Sequence, residues 1–161
     1  MASIPQNIIS HWHYLIEGFH GSSQEFYTSL EQSIEKRGIP NLKVTRVFHK
    51  EGSTLSAKRE YLRVRRYNQY FDVCAAPFGN GFFISWWLGE NEGCLANIPF
   101  LGIIFRIMNP TTYFQIDTTL MFQESIRLSV LEVIDEFIKE KGLKALSDIE
   151  RKPVMHDLLK K

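Results

Sequence analysis

Arg59, Tyr61, Arg63, Arg65 and Tyr67 occupy every second position of one short stretch, KREYLRVRRY. On an extended strand that spacing puts guanidinium and phenol groups on one face and Leu62 and Val64 on the other. Guanidinium groups interleaved with aromatic rings can hold a phosphate, a carboxylate or a stacked base. The five are therefore anion- or ligand-binding candidates. In the version that includes an enzyme, Arg63 and Arg65 would line a small-molecule or anion site between the sheet and a long helix. The plainer reading is a solvated outer sheet face on which Arg65 is neutralised by a cross-strand Asp72, since alternating charge is ordinary on an antiparallel sheet. That plainer reading is preferred.

Trp86 and Trp87 raise a second question. Neighbouring residues in a strand face opposite ways, so the two indoles cannot enter one core, and one of them must meet a helix, a partner or a membrane surface. With Phe105 and Arg106, from the apolar segment Ile98–Met108, they are the interaction or membrane-surface candidates. That segment is too short to span a bilayer and carries Arg106. It is expected either to pack on the sheet or to rest at a lipid interface with Arg106 reaching polar surroundings.

The histidines give less. His11 and His13 form an HxH pair, but the segment Ile4–Phe19 reads as a helix, and ligands converge on a helix at i and i+3 or i+4. No metal site is expected, and no cofactor. Serine, histidine and acidic residues occur without a GxSxG elbow, and the glycines at Gly79, Gly81 and Gly89 lie between strands, where no Walker or GxGxxG loop forms. No residue is assigned a catalytic role.

The elements that must position these groups are legible from periodicity. Ile8, Ile9, Trp12, Leu15, Ile16 and Phe19 predict a first amphipathic helix within Ile4–Phe19, with Pro5 in its first turn. Ser22 or Ser23 caps a second, Gln24–Arg37, with Phe26, Leu30 and Ile34 on its apolar stripe and Gly38 and Pro40 beyond its end. Leu42–Lys50 reads as a strand. Lys58–Glu90 reads as three strands joined by turns at Tyr67–Tyr70 and Pro77–Gly81, with a first-turn register that sets Arg65 opposite Asp72 and Arg63 opposite Cys74. Phe82–Leu88 is apolar on both faces, so both should be covered. Thr112–Ile116 is expected as a short strand, and Asp117 as the N-cap of a long helix, Thr118–Lys141. Ser147-Asp148-Ile149-Glu150 carries a capping-box pattern. The sum is an α+β domain: an antiparallel sheet of about four strands in a meander, with N-terminal helices and a long C-terminal helix packed on it.

The chain has 161 residues, 44% hydrophobic and 13% aromatic, enough for one domain with a real core. Its formal net charge of +1 offers no global field for a polyanion, so a nucleic-acid partner is not expected. The two cysteines form neither a CxxC nor a metal-knuckle spacing, which points to a reduced setting with Cys74 as a small buried hydrophobe. Met1–Ser10 has no basic residue, so a cleaved secretion signal is not expected either. A cytoplasmic location follows, with the inner-membrane surface as a peripheral option.

At REYLRVRR, FDVCAAPFGNGFFISWWL, TYFQIDTTLMFQES and GLKAL…ERKPV the chain resembles a family of bacterial proteins that share these blocks in this order. The resemblance implies a bacterial origin. It also implies membrane proximity for members with a longer apolar insertion, where this chain has only the short polar link Asn91–Pro99. It brings no activity, cofactor or catalytic residue with it. The expected function is that of a non-enzymatic binding or interaction module with a protein partner or a second copy of itself. A ligand-binding domain using the Arg/Tyr face is the alternative.

Overall fold

The structure is a computed structural model that describes residue 5 and residues 7–50, 58–91 and 112–156. The apolar segment Ile98–Met108, with Phe105 and Arg106, lies outside the described residues.

The first segment departs from its predicted helix. Asn7–Glu17 is a strand, β1, paired antiparallel along its length with a later strand. The helical spacing of its apolar residues hid a second pattern of period two. Ser10, Trp12, Tyr14 and Ile16 share one face, and His11, His13, Leu15 and Glu17 the other. An irregularity between Ile8 and Ser10 lets Ile9 and Ser10 both be buried. A sheet that offers hydrogen bonds to the whole segment and a core slot for Trp12 and Ile16 outweighs a local helical preference.

The next elements follow expectation closely. Ser22 caps α1 (Ser23–Lys36) by accepting from the Glu25 amide, and Phe26, Tyr27, Leu30 and Ile34 form its buried stripe. Then come β2 (Leu42–Lys50), β3 (Lys58–Arg66), β4 (Gln69–Phe78) and β5 (Gly81–Glu90), each paired antiparallel with its neighbour. The first turn is Tyr67-Asn68 rather than Asn68-Gln69, with Tyr67 in the left-handed region at φ 53° and its hydroxyl accepting from the Asn41 side-chain Nδ2 at 2.7 Å. This corrects the register by two residues: Arg63 lies opposite Asp72, and Arg65 opposite Tyr70. A two-residue slip leaves the faces unchanged, so alternation alone cannot choose between these registers. The observed one pairs Val64 with Phe71 in the core and gives buried Arg63 a carboxylate.

The long helix, α2, runs Tyr113–Glu140 and begins earlier than predicted. Thr112 is the N-cap, in a reciprocal capping box with Gln115, so the predicted strand at Thr112–Ile116 is helix and Asp117 lies inside it. After Gly142, in the left-handed region, the tail makes the predicted Ser147–Glu150 contact, in which the Glu150 carboxylate accepts from the Ser147 amide at 2.7 Å, but around a turn. It ends in a two-residue strand, β6 (Val154–Met155), on the free side of β1. The described sheet is therefore six-stranded, in the order β2-β3-β4-β5-β1-β6, with the expected four-strand meander at one side and the N- and C-terminal strands added at the other.

Both helices pack on one sheet face. Phe26, Leu30, Phe122, Ile126, Val130 and Ile134 meet Trp12, Leu62, Phe71, Phe82, Trp86 and Leu88 there in one core. Phe71 stacks on Trp86 at 4.8 Å between ring centres, and Phe26 stacks on Phe137 at 5.8 Å. Where the β3–β4 ladder stops, past the Leu62–Val73 pair, Tyr27 of α1 reaches the seam. Its hydroxyl accepts from the Ala75 amide at 2.9 Å and donates to the Glu60 carbonyl at 2.8 Å. That single side chain satisfies two backbone groups that the parting strands leave over, and burial pushes its phenol well up from the ordinary value. No helix of the described residues is long and apolar enough to cross a membrane.

Candidate functional site: the sheet face opposite the helices

Strand alternation sends Arg59, Tyr61, Arg63 and Arg65 of β3, Tyr70, Asp72 and Cys74 of β4, Ser85 and Trp87 of β5, and His11 and His13 of β1 to the sheet face away from α1 and α2. This face has two unlike halves.

At the β2–β4 side the arginine stripe is engaged within the chain. Arg63 donates from Nε to Asp72 Oδ1 at 2.7 Å and from Nη2 to Oδ2 at 2.6 Å, a bidentate pair with both residues buried. These bonds hold the guanidinium charged, against the desolvation that opposes them. His49 of β2 places Nε2 at 3.8 Å from the same carboxylate and sets its ring edge-on to Tyr61. Burial lowers the His49 pKa, and Asp72 offsets part of that effect. The Arg63 and Arg65 guanidinium carbons lie 5.1 and 5.4 Å from the centre of the Tyr70 ring, and Arg65 Nε donates to the Tyr67 carbonyl at 2.9 Å. Arg66, on the other face of β3, lies over the Tyr67 ring. Cys74 is a free, fully buried thiol that burial pushes above its ordinary pKa, which makes it a poor nucleophile. An open depression of about 500 Å³ lies elsewhere, beside Arg37, Leu128, Glu132, Asp135, Lys139 and Arg151, and none of the stripe's residues lines it.

At the β5–β1 side the face is aromatic and imidazole-rich. Trp86 is in the core at 1% exposure, whereas Trp87 is 40% exposed, so the two indoles divide between the faces as strand geometry requires. The expected cover on both faces of β5 is thus incomplete at Trp87. His11, its cross-strand partner, stacks on the indole at 4.7 Å with the planes 14° apart. His11 Nδ1 lies 3.0 Å from Nε2 of His156, just past β6. Burial lowers the His11 pKa, and the neighbouring His156 and His13 lower it further. Leu15, farther along the same face, is also exposed.

On the helix side a short polar row is buried with the core. Ser10 Oγ donates to Gln123 Oε1 at 2.6 Å, and Gln69 Nε2 donates to Thr119 Oγ1. Gln69 Oε1 has no hydrogen-bond partner among the described residues. Of the predicted candidates, Arg59, Tyr61, Arg63 and Arg65 do gather on one face, Tyr67 is in the turn, and Trp87 alone of the Trp pair reaches the surface. The sequence reading missed Asp72 as the partner of Arg63, His49 beside it, and the meeting of His11 with His156. The HxH spacing on a strand signals only that His11 and His13 share a face, and nothing local points to His156, which arrives through the β6–β1 pairing.

No protein-family model and no curated protein matches this chain. Among solved structures it is similar to the di-domain ARO/CYC StfQ from the steffimycin biosynthetic pathway, at 12% identity and a TM-score of 0.37, over 84% of this chain. The chain spans about half of that protein, 52% of its length. At that score the likeness supports no assignment of fold family or activity.

Proposed function

We propose that this chain is a non-enzymatic interaction module whose helix-free sheet face docks a protein partner, in the first instance a second copy of itself. Trp87 carries the reading. A large indole at 40% exposure stands in the middle of a sheet, held flat by the His11 ring, with exposed Leu15 along the neighbouring strand. Tryptophan gives protein interfaces large contact area at low entropic cost and is enriched at their energetic centres. The arginine stripe next to it would form the polar rim, already organised by Asp72 and Tyr70. An anion site on that stripe draws less support, because Arg63 and Arg65 both have partners within the chain. The proposed setting is the bacterial cytoplasm, where a free thiol such as Cys74 stays reduced.

Size-exclusion chromatography with light scattering over a concentration series tests this. Wild-type protein should approach twice the monomer mass as concentration rises, and Trp87→Glu should stay monomeric while keeping its thermal midpoint. A wild type that remains monomeric at the highest attainable concentration removes the self-association version.

A further inference from the structure

We propose that His11 and His156 form a two-imidazole site for a divalent transition-metal ion of the zinc, nickel or copper type, which ties the end of the described chain to β1. On a helix the two imidazoles of an HxH pair diverge, but Asn7–Glu17 is a strand. On β1, positions 11 and 13 share a face, and the short pairing of β6 with β1 brings a third imidazole alongside. Val154 lies opposite His11, the His156 amide donates to the Ile9 carbonyl at 2.8 Å, and the His156 ring is thereby set against the His11 ring. The two ring nitrogens are 3.0 Å apart. Two nitrogen ligands of a tetrahedral zinc ion, each about 2.0–2.1 Å from the metal, are themselves about 3.3 Å apart, so a slight separation of the rings with both lone pairs turned to a common point makes this contact a chelate.

The imidazoles are suited to that use. Stacking on Trp87 fixes the plane of the His11 ring and limits the rotamer freedom lost on binding. Imidazole nitrogen is a preferred donor for zinc, copper and nickel and a poor one for magnesium or calcium. Among the described residues no group of three or more His, Cys, Asp and Glu is placed to hold one ion, so the described residues offer two ligands, and water or a partner's group completes the shell. The consequence is mechanical. Bound metal joins His11 to a residue 145 positions away and secures β6, a strand of only two residues.

The test uses full-length protein without an affinity tag. Zinc, nickel or copper chloride should bind with a stoichiometry of one per chain at micromolar affinity and raise the thermal midpoint. Either His11→Asn or His156→Asn should weaken binding at least about tenfold, whereas His20→Asn should not. Copper(II) electron paramagnetic resonance on the wild type should show coupling to two imidazole nitrogens, a readout that holds even if a variant folds poorly. Absence of binding at millimolar metal overturns the proposal. So does affinity that survives His156→Asn but is lost in His13→Asn, which would assign the ion to the HxH pair alone.

Discussion

The Arg63–Asp72 pair shows at single-residue scale what the structure adds to alternation. Both members are buried, and the two bonds between them are short, so deleting the carboxylate strips a buried guanidinium of its bidentate acceptor. Asp72→Ala should cost about 3–5 kcal/mol in urea unfolding, whereas Arg65→Ala, with its side chain on the Tyr67 carbonyl, should cost under about 1 kcal/mol. The register expected from the turn, with Arg65 opposite Asp72, would instead make both substitutions break one and the same pair and cost similar amounts. The Arg/Tyr face was readable because side chains alternate with period two. The partner was not, because a two-residue slip preserves every face. The acidic limb of stability also belongs to single residues. A hydrogen bond from Arg127 holds the Glu124 carboxyl below its ordinary 4.5, and Ser147 does the same for Glu150. Groups lowered in the folded state contribute stability that is complete above the unfolded value and fades as pH falls through the folded one. Unfolding midpoints should therefore decline below pH 4.5, and Glu124→Gln should lessen the decline.

At the scale of elements, β1 is the informative failure. Six apolar residues between Ile8 and Phe19 satisfy a helical template, while Ser10, Trp12, Tyr14 and Ile16 satisfy a strand template over the same stretch. The choice is made by β5, about seventy residues later, which no local window contains. By contrast α1 and the four strands of the meander, β2 to β5, were legible, because their caps, turns and periodicity agree with one another. The β1–β5 ladder carries its own evidence of close fit. A Cβ at Gly89 would lie 2.7 Å from the Asn7 carbonyl oxygen, and one at Gly81 would lie 2.8 Å from that of Ile16. Gly89→Ala and Gly81→Ala should each destabilise by about 1–3 kcal/mol, with loss of amide-exchange protection concentrated in β1. For α2, Thr112→Ala removes the capping box and should cost about 1 kcal/mol, whereas Asp117→Ala should cost less, which would confirm the earlier start of the helix.

The whole molecule is a sheet assembled from distant parts of the chain. Its longest-range ladder between full strands, β5 with β1, joins Asn7 to Glu90, and β6 then closes on β1 from the far end of the described residues. Non-local pairings of this kind slow folding, so refolding from urea should take milliseconds to seconds rather than microseconds, measurable by the fluorescence of Trp86 as it is buried against Phe71. The position of β1 also sets a sequence of events on the ribosome. At about 5–20 residues per second, roughly 4–15 s separate the synthesis of Glu17 from that of Glu90. Throughout that interval the leading segment, with Trp12, Ile16 and Phe19, has no native strand to join, while β2, β3 and β4 can pair as they appear. Translation speed across codons 18–90 thus sets how long a sticky strand waits, and pausing there would favour β1 of one nascent chain pairing with the exposed β5 of its neighbour on the same messenger.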